Sequence, residues 1–445
     1  MMNAGIRPGE KKSSHDLRVR IILLMSILIY LLFSVRGGYS IVENSISSMD
    51  LLIPMDETQT NHLKAYGLTY YVLLKGRKGE WLLNYRGGSF LLPSTEDIRE
   101  RASLMNVSFE IIDESRKNEI YQDIEKKNMH RVELSKKPRI AVYTPPDKEP
   151  WDDAVTLAMS YAEIPYDKVW DREVISGKLK QYDWVHLHHE DFTGQYGKFY
   201  AIYRKAPWYL KKVISSKKVA KEAGFSSVQA FKGFVAVKIR DYVVKGGFLF
   251  AMCSATDTLD IALSAYGVDI VEEEIDGTPA DKDFAQKLNF KKTLAFNDFS
   301  IYTNPNIYEY SSIDVDVDKE GLRVPDTFQL FDFSAKIDPV PTMLNQNHVM
   351  VVKGFLGQTT AYYKRFVKSH VTVLAGTPET NRIKYIHGNV GKGTFTFYGG
   401  HDPEDYQHFI GDPPTNLALY PDSPGYRLIL NNVLFPSAKK QKQKT

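Results

Sequence analysis

The chain has 445 residues, 57 lysines and arginines against 54 aspartates and glutamates, and a formal net charge of +3. The length exceeds one ordinary domain. The near-balance of charge argues against nucleic acid as the main partner, because phosphate binding requires a concentrated basic face. A single cysteine, Cys253, excludes an intrachain disulfide and a cysteine-based zinc site.

Residues 1–40 have the features of an export signal. Arg18 and Arg20 precede an apolar run from Ile21 to Val35, which is about 15 residues long, whereas a membrane-spanning helix needs about 20. Small residues follow from Gly37, where cleavage is expected; the alternative is an uncleaved signal anchor. We therefore expect an exported protein of the periplasm or cell envelope that contacts the membrane only through this segment.

Residues 48–130 predict a small N-terminal α/β domain. Strands are expected at 51–54, 69–74, 81–85 and 108–112, and helices at 58–66, ended by Gly67, and at 95–105. The polar stretch 114–137 is expected to form a helix or a linker. At the other end of the chain, 437–445 is expected to be a basic, disordered tail.

Residues 138–436 predict a second, larger domain. Apolar strands are expected at 140–143, 184–187, 248–252 and 393–398, with helices between them and a final helix at 427–434. Strands that alternate with helices indicate right-handed βαβ units and a parallel sheet, whose active residues collect beyond the carboxyl ends of the strands. The region from about 271 to 388, with short β-like runs between loops, is expected to be a β-rich insertion or an extension of that sheet.

A candidate nucleophile follows one of these strands. Residues 246–258 read GGFLFAMCSATDT, so a buried strand runs into a turn at Cys253 and then into a helix. A thiol at such a turn lies above the sheet near the positive end of the helix, and this position favours the thiolate. The alternative is that Cys253 is a small buried packing residue and that Ser254 or Thr256 caps the helix.

A second motif, GGHDPE at 399–404, directly follows the strand at 393–398. His401 can act as a general base for Cys253, with Asp402 or Glu404 orienting its ring. The alternative is a helix start, with Asp402 as the N-cap, Pro403 at the first helical position and Glu404 in the first turn. That alternative explains the two acidic residues but not His401.

A third motif, HLHHEDF at 186–192, lies at the carboxyl end of another core strand. Strand alternation places His186 and His188 on one face, and His188, His189 and Glu190 lie where the chain leaves the sheet, within reach of His401. Imidazoles and a carboxylate suit a divalent metal, although the spacing matches no fixed metal motif. The alternative is a polar loop whose histidines form local hydrogen bonds.

The Cys253 and His401 motifs also carry family resemblances. The Cys253 turn resembles the nucleophile turn of class I glutamine amidotransferases, in which glycines stand where this chain has Ala251 and Ala255. The segments GGF and CSATDT, together with GKG at 391–393, GHDPE and YRLILN at 426–431, resemble the trehalose-utilisation (ThuA-like) proteins, which usually carry histidine at the position of Cys253. The resemblance covers about 139–436. It implies an α/β fold with a doubly wound, mostly parallel, flavodoxin-like sheet of the class I glutamine amidotransferase-like type.

The whole chain resembles an exported family of Bacteroidetes that often bears the label asparagine synthetase B. The segments that carry this resemblance are NHLKAYG at 61–67, NYRGG at 84–88 and HHEDFTGQY at 188–196. True asparagine synthetases resemble amidotransferases in which cysteine directly follows the initiator methionine. They also carry an ATP loop of SGGxDS type. This chain has Met2 and no such loop, so we predict no ATP-dependent asparagine formation.

The ThuA-like resemblance implies a hydrolase or lyase that acts on a small, sugar-derived substrate. His401 would be the acid/base, with His188 and His189 lining the pocket or holding a divalent metal. Two alternatives remain: a non-catalytic ligand-binding protein, and an amidotransferase-like hydrolase that uses Cys253, His401 and Glu404. We expect a small-molecule partner of the carbohydrate class, with the Cys253 and His401 side chains within about 8 Å of each other and His188 or His189 within roughly 10 Å of His401.

Overall fold

The computed structural model describes residues 49–146, 149–315, 327–407 and 409–439. The described residues from Asp50 onward form one compact unit. The predicted export signal and residues 440–445 of the predicted tail lie outside the described residues. Within the described ranges, no helix is both long enough and apolar enough to cross a membrane.

The first sheet is antiparallel and contains five strands in the order β4-β1-β3-β2-β5. The strands are β1 (Asp50–Ile53), β2 (Gly79–Leu83), β3 (Ser89–Pro93), β4 (Glu110–Ile112) and β5 (His130–Leu134). The helices of this part are α1 (His62–Leu74), α2 (Glu96–Leu104) and α3 (Glu114–Lys126).

Helix α1 corrects one expectation. The prediction of a helix ended by Gly67 and a strand at 69–74 is wrong, because one continuous helix runs to Leu74. Gly67 does not end the helix but allows the helix to pack closely against Ala162, because a Cβ at Gly67 would lie 1.8 Å from the carbonyl oxygen of Ala162. The side chain of Asn61 starts the helix by accepting a hydrogen bond from the N–H of Lys64 (2.9 Å).

The second sheet contains ten strands and mixes parallel with antiparallel pairing. Its parallel strands, in the order β7-β6-β8-β9-β15, are β6 (Ile140–Tyr143), β7 (Asp167–Val169), β8 (Trp184–Leu187), β9 (Phe248–Met252) and β15 (Gly393–Tyr398). Antiparallel strands extend the sheet beyond β15 in the order β14-β13-β10-β11, and β12 pairs with β14. They are β10 (Thr327–Leu330), β11 (Val351–Lys353), β12 (Tyr362–Tyr363), β13 (Thr372–Gly376) and β14 (Arg382–Val390).

Ten further helices accompany this sheet in the described residues. They are α4 (Ala154–Tyr161), α5 (Asp171–Ile175), α6 (Tyr200–Tyr203), α7 (Pro207–Glu222), α8 (Val228–Val244), α9 (Ala255–Ser264), α10 (Glu273–Asp276), α11 (Phe284–Lys287), α12 (Pro339–Leu344) and α13 (Pro424–Leu434). The fold is therefore a mixed α/β fold in which only part of the larger sheet is parallel.

Four of the parallel strands, β6, β8, β9 and β15, are largely buried on both faces and separate two hydrophobic cores. Phe250 and Met252 of β9 enter a core that they share with α1, α4, α13 and the first sheet. Leu249 and Ala251 of the same strand enter a second core with α8 and α9. Burial on both faces explains why β6 and β9 are continuous apolar runs in the sequence.

Candidate active site

The three sequence motifs leave the sheet at the same edge. In the parallel register, Tyr398 of β15 pairs with Met252 of β9, and Leu187 of β8 pairs with Ala251. The residues that follow these strands therefore emerge side by side, about 4.8 Å apart from strand to strand. This register brings His188, Cys253 and the 399–404 turn together.

Backbone hydrogen bonds fix the three turns to one another. The N–H of Cys253 donates to the carbonyl oxygen of Gly400 (3.1 Å), and the N–H of Ala255 donates to the carbonyl oxygen of His188 (3.1 Å). The hydroxyl of Thr256 donates to the carbonyl oxygen of Cys253 (2.7 Å). The turn that carries the thiol is thus held rigidly between its two neighbours.

Cys253 has a strained backbone. Its φ is +50°, in the left-handed region that a non-glycine residue rarely occupies. It lies between the end of β9 and the start of α9, which is the local geometry of a nucleophile elbow. A packing cysteine does not require this conformation, so the strain favours the functional interpretation of Cys253 over the structural one.

The thiol of Cys253 is 3% exposed and surrounded by donors. The N–H of Gln358 donates to Sγ (3.3 Å), and His401 forms a side-chain hydrogen bond with it. Burial raises the pKa of the Cys253 thiol, but His401 and the N–H groups of Gln358 and Thr359 lower it by more, so that the pKa lies below its ordinary value. These contacts favour the thiolate, which is the reactive form.

His401 is buried beside a carboxylate that the sequence analysis did not select. Its Nε2 lies 3.9 Å from Oδ1 of Asp152, and its Nδ1 lies 3.2 Å from Nε2 of His188. Burial lowers the pKa of His401, but Asp152 and Cys253 raise it by more, and the pKa lies well above its ordinary value. The arrangement favours an imidazolium paired with the thiolate and oriented by Asp152.

Asp402 and Glu404 have structural contacts in this part of the molecule. Oδ1 of Asp402 accepts hydrogen bonds from the N–H groups of Glu404 (2.9 Å) and Asp405 (3.3 Å). The carboxylate of Glu404 accepts a hydrogen bond from the hydroxyl of Ser423, the N-cap residue of α13. The two carboxylates thus stabilise the 402–405 turn and the start of α13. The expectation of a helix start at 402–404 is wrong, because residues 402–405 form a turn and not the first turn of a helix.

A tightly packed loop closes the site from the side of the antiparallel strands. A Cβ at Gly357 would lie 2.8 Å from the backbone of Gly400, and a Cβ at Gly399 would lie 2.4 Å from the carbonyl oxygen of Thr360. Only glycine at both positions allows this approach, which brings the N–H groups of Gln358 and Thr359 to the sulfur.

His186 and His188 both lie against Asp153. Nε2 of His186 lies 3.3 Å from Oδ2 of Asp153, and Nδ1 of His188 lies 3.3 Å from its Oδ1. Asp153 also caps α4 by accepting hydrogen bonds from the N–H groups of Val155 and Thr156. His188 thus connects this carboxylate to His401.

His189 and Glu190 point to different surroundings. Nε2 of His189 lies 3.0 Å from Oε2 of Glu149, whose other oxygen accepts a hydrogen bond from Lys212 (2.7 Å). Glu190 is buried and accepts a hydrogen bond from the N–H of His188 (2.9 Å). Burial raises the pKa of Glu190 well above its ordinary value.

A cavity of about 470 Å³ adjoins the site. Its lining includes Glu149, Trp170, His189, Trp208 and Lys212. The ring of His189 lies 5.8 Å from that of His401 and stacks on it, so the cavity is one side chain away from the Cys253–His401 pair. A larger cavity, of about 1000 Å³, lies at the opposite edge of the sheet, where Asp183, Gly247 and Gly393 mark the amino ends of the parallel strands.

Two groups of side chains have the spacing of metal ligands. One consists of His188, His189 and His401, and the other of Asp153, His186 and His188; in each, the ligand atoms lie within 4.8 Å of one another. In the first group, His189 forms a hydrogen bond with Glu149, and His401 forms one with His188. Neither group among the described residues includes Glu190.

Sequence reasoning missed Asp152, although a signal was present. Asp152 and Asp153 follow β6, a fourth parallel strand, at the same edge of the sheet as the three motifs. The rule that active residues collect beyond the carboxyl ends of parallel strands applies to this strand as well.

No protein-family model and no curated protein matches the chain. Among solved structures, it is similar to Cytoplasmic Protein STM3548 from Salmonella typhimurium (10% identity, 68% of this chain and 100% of that chain, TM-score 0.32). It is also similar to Cytoplasmic Protein STM1381 from Salmonella typhimurium LT2 (12% identity, 68% and 100%, TM-score 0.33). A third similar structure is Gan42B, a GH42 beta-galactosidase from G. stearothermophilus (11% identity, 60% and 28%, TM-score 0.27).

Proposed function

We propose that the chain is a hydrolase that uses Cys253 as a nucleophile on an amide or ester of a small molecule. His401 is the acid/base and Asp152 orients it. The observation that carries the proposal is the strained conformation of Cys253 between β9 and α9, combined with the contacts of its thiol with His401 and two backbone N–H groups.

The reaction would proceed through an acyl-enzyme. The thiolate of Cys253 attacks the carbonyl carbon, and His401 gives its proton to the departing amine or alkoxide as the bond to it breaks. Water then enters, His401 takes one of its protons, and the resulting hydroxide attacks the thioester carbon. The acid departs, the thiolate is restored and His401 is again the imidazolium.

The order of the parallel strands supports a doubly wound, flavodoxin-like sheet. Numbered along the chain, β7-β6-β8-β9-β15 corresponds to the order 2-1-3-4-5 of flavodoxin-like folds. The two hydrophobic cores on opposite faces are in keeping with helices on both sides. We propose on this basis that residues 138–436 are of the class I glutamine amidotransferase-like type, with the antiparallel strands as an addition.

A second candidate function retains the ThuA-like expectation. Here His401 is the acid/base of a hydrolase or lyase that acts on a sugar-derived substrate without a covalent intermediate. Two features favour this second candidate. His188 and His401 are joined by a hydrogen bond of 3.2 Å, and the lining of the adjoining cavity contains Trp170 and Trp208. The two candidates differ in one respect: only the first requires the sulfur of Cys253.

The ionisation of the thiol tests the first candidate without a known substrate. Cys253 is the only cysteine of the chain, so the ultraviolet absorbance of the thiolate reports on this residue alone, with Cys253→Ala as the blank. We expect the wild-type signal to persist below the ordinary thiol pKa of about 8.5, and to move to that range or above in His401→Ala. A wild-type thiol that ionises only in the alkaline range would overturn the proposal.

Export remains part of the proposal. The mature chain should begin between about Gly37 and Asp56 and fractionate outside the cytoplasm. N-terminal sequencing that finds Arg18–Val35 intact on a soluble cytoplasmic protein would exclude it.

A further inference from the structure

An unusual surface lies on the outer side of α6 and α7. Ile202 is 76% exposed, Leu210 is 48% exposed and Ile214 is 69% exposed. Leu210 and Ile214 are four residues apart on α7, so they share one face of the helix. Lys217, Lys218 and Lys221 continue this face and are exposed as well. We call these residues, with Arg204, Lys205 and Lys211, the α6–α7 surface.

The charge of this segment is almost entirely of one sign: Glu222, the last residue of α7, lies 3.9 Å from Lys218, pairs with Arg172 and is the first acidic residue after Asp191. From Phe192 to Lys221 the sequence contains eight lysines and arginines and no acidic residue. Lys198 and Lys212 point inward: Lys198 donates to the carbonyl oxygen of Tyr302 (2.6 Å), and Lys212 donates to Glu149 (2.7 Å). The other six cations belong to the α6–α7 surface, on a chain whose net charge is only +3.

We propose that the α6–α7 surface docks on an anionic lipid bilayer. Helices that lie in the membrane interface combine exposed lysines and arginines with large apolar side chains that enter the boundary of headgroups and acyl chains. The lysines meet the phosphates of the headgroups, while Leu210, Ile214 and Ile202 enter the boundary with the acyl chains. The contact is separate from the one expected through Ile21–Val35.

The apolar side chains distinguish a bilayer from other polyanions. A nucleic acid would pair with the lysines and leave Leu210 and Ile214 in water. A bilayer takes up both kinds of side chain, because its headgroups are charged and its acyl boundary is apolar. The combination of charged and apolar side chains on this surface therefore favours a lipid partner.

Docking would also place the candidate active site close to the bilayer. The inner face of α7 contributes Trp208 and Lys212 to the lining of the 470 Å³ cavity beside His189. Since a helix is about 10 Å in diameter, the cavity would lie one helix thickness from the headgroups. The docking proposal does not require that the site be catalytic.

Amide hydrogen exchange of the full chain tests the proposal. Vesicles of phosphatidylcholine with phosphatidylglycerol should slow exchange across residues 200–221 by about tenfold, whereas pure phosphatidylcholine vesicles should not. The double variant Leu210→Ser, Ile214→Ser should lose this protection, and so should Lys217→Glu, Lys218→Glu. Matched controls are Leu104→Ser with Leu419→Ser, which are 73% and 69% exposed elsewhere, and Lys126→Glu with Lys127→Glu.

The readout is confined to residues 200–221, so membrane contact through Ile21–Val35 does not contribute to it. Equal protection in charged and uncharged vesicles, or none in either, would overturn the proposal. Protection that survives the loss of Leu210 and Ile214 but not of Lys217 and Lys218 would also overturn it, since it would identify the surface as a site for any polyanion. Protection lost equally in the matched controls would show a general effect on the fold and would likewise reject it.

Discussion

Two acidic pairs lie at the same edge of the large sheet and differ in what they contact. Asp152 and Asp153 follow β6 and precede α4, while Asp402 and Glu404 follow β15 and lie in a turn. Asp152 raises the pKa of His401, and Asp153 lies against His186 and His188. Asp402 instead accepts a hydrogen bond from the backbone of its own turn, and Glu404 accepts one from the hydroxyl of Ser423. Proximity to His401 in the sequence therefore does not identify its partner in space.

The largest expected effect separates the two candidate functions. With p-nitrophenyl acetate as the probe, Cys253→Ala should lower kcat/KM by about 10⁴-fold or more, because no acyl-enzyme can form. His401→Ala should cost about 10²- to 10⁴-fold, since the acid/base is lost while the sulfur remains. If His401→Ala costs more than Cys253→Ala, the thiol is not the nucleophile and the ThuA-like candidate is preferred.

Much of the larger sheet could be predicted from the sequence, because short segments of the chain carry the signal for each strand. The strands at 140–143, 184–187, 248–252 and 393–398 begin and end as predicted, because each is rich in apolar residues and largely buried on both faces. β7 was missed, since it is short and two of its three residues are exposed. The strand expected at 69–74 was wrong because Gly67 was taken as a helix end, whereas it allows close packing against Ala162.

The candidate site was harder to predict, because its pairing is tertiary. The elbow at Cys253 and the turn at His401 each have a local signature, so both residues could be selected. Asp152 lies 249 positions before His401 in the sequence, and only the parallel register of β6, β8, β9 and β15 brings them to one edge. The N–H groups of Gln358 and Thr359 have no sequence signature, because any residue supplies an N–H; the glycine at 357 is the one local sign of close approach.

The second prediction tests the comparison of the acidic pairs directly. Asp152→Asn should lower kcat/KM toward p-nitrophenyl acetate by about 10- to 100-fold, because the amide orients His401 without stabilising its charge. Glu404→Gln is the matched control with the same chemical change, and it should remain within about threefold of the wild type. The opposite ranking would restore Glu404 as the partner of His401.

The third prediction concerns pH and follows from the sign of the pKa shifts. The Cys253 pKa is lowered and the His401 pKa is raised, so the thiolate–imidazolium pair exists between the two values. Asp152→Asn removes a carboxylate that raises the pKa of His401, and the alkaline limb of the kcat/KM profile should move to lower pH. Glu404→Gln should leave that limb in place.

The same shift has a consequence for stability. A raised His401 pKa stabilises the folded state fully below the unfolded pKa of about 6.5, and this stabilisation is lost as the pH rises through the folded pKa. The free energy of unfolding of Asp152→Asn should therefore differ most from the wild type near neutral and mildly acidic pH and approach it in the alkaline range. A difference that is independent of pH would show that Asp152 acts through packing alone.

The smallest expected effect concerns Asp402, which is 1% exposed and accepts hydrogen bonds from two backbone N–H groups of its own turn. Asp402→Ala leaves those donors without their acceptor, and losing a hydrogen bond of this kind costs about 1 kcal/mol of the free energy of unfolding. Denaturant titration should show this loss, while the alkaline limb of the pH profile stays where it is in the wild type. Asp402→Asn, which keeps an acceptor oxygen, should recover most of the stability. If Asp402→Ala instead shifts the alkaline limb as Asp152→Asn does, then both carboxylates act on His401 and the division between an orienting pair and a structural pair is wrong.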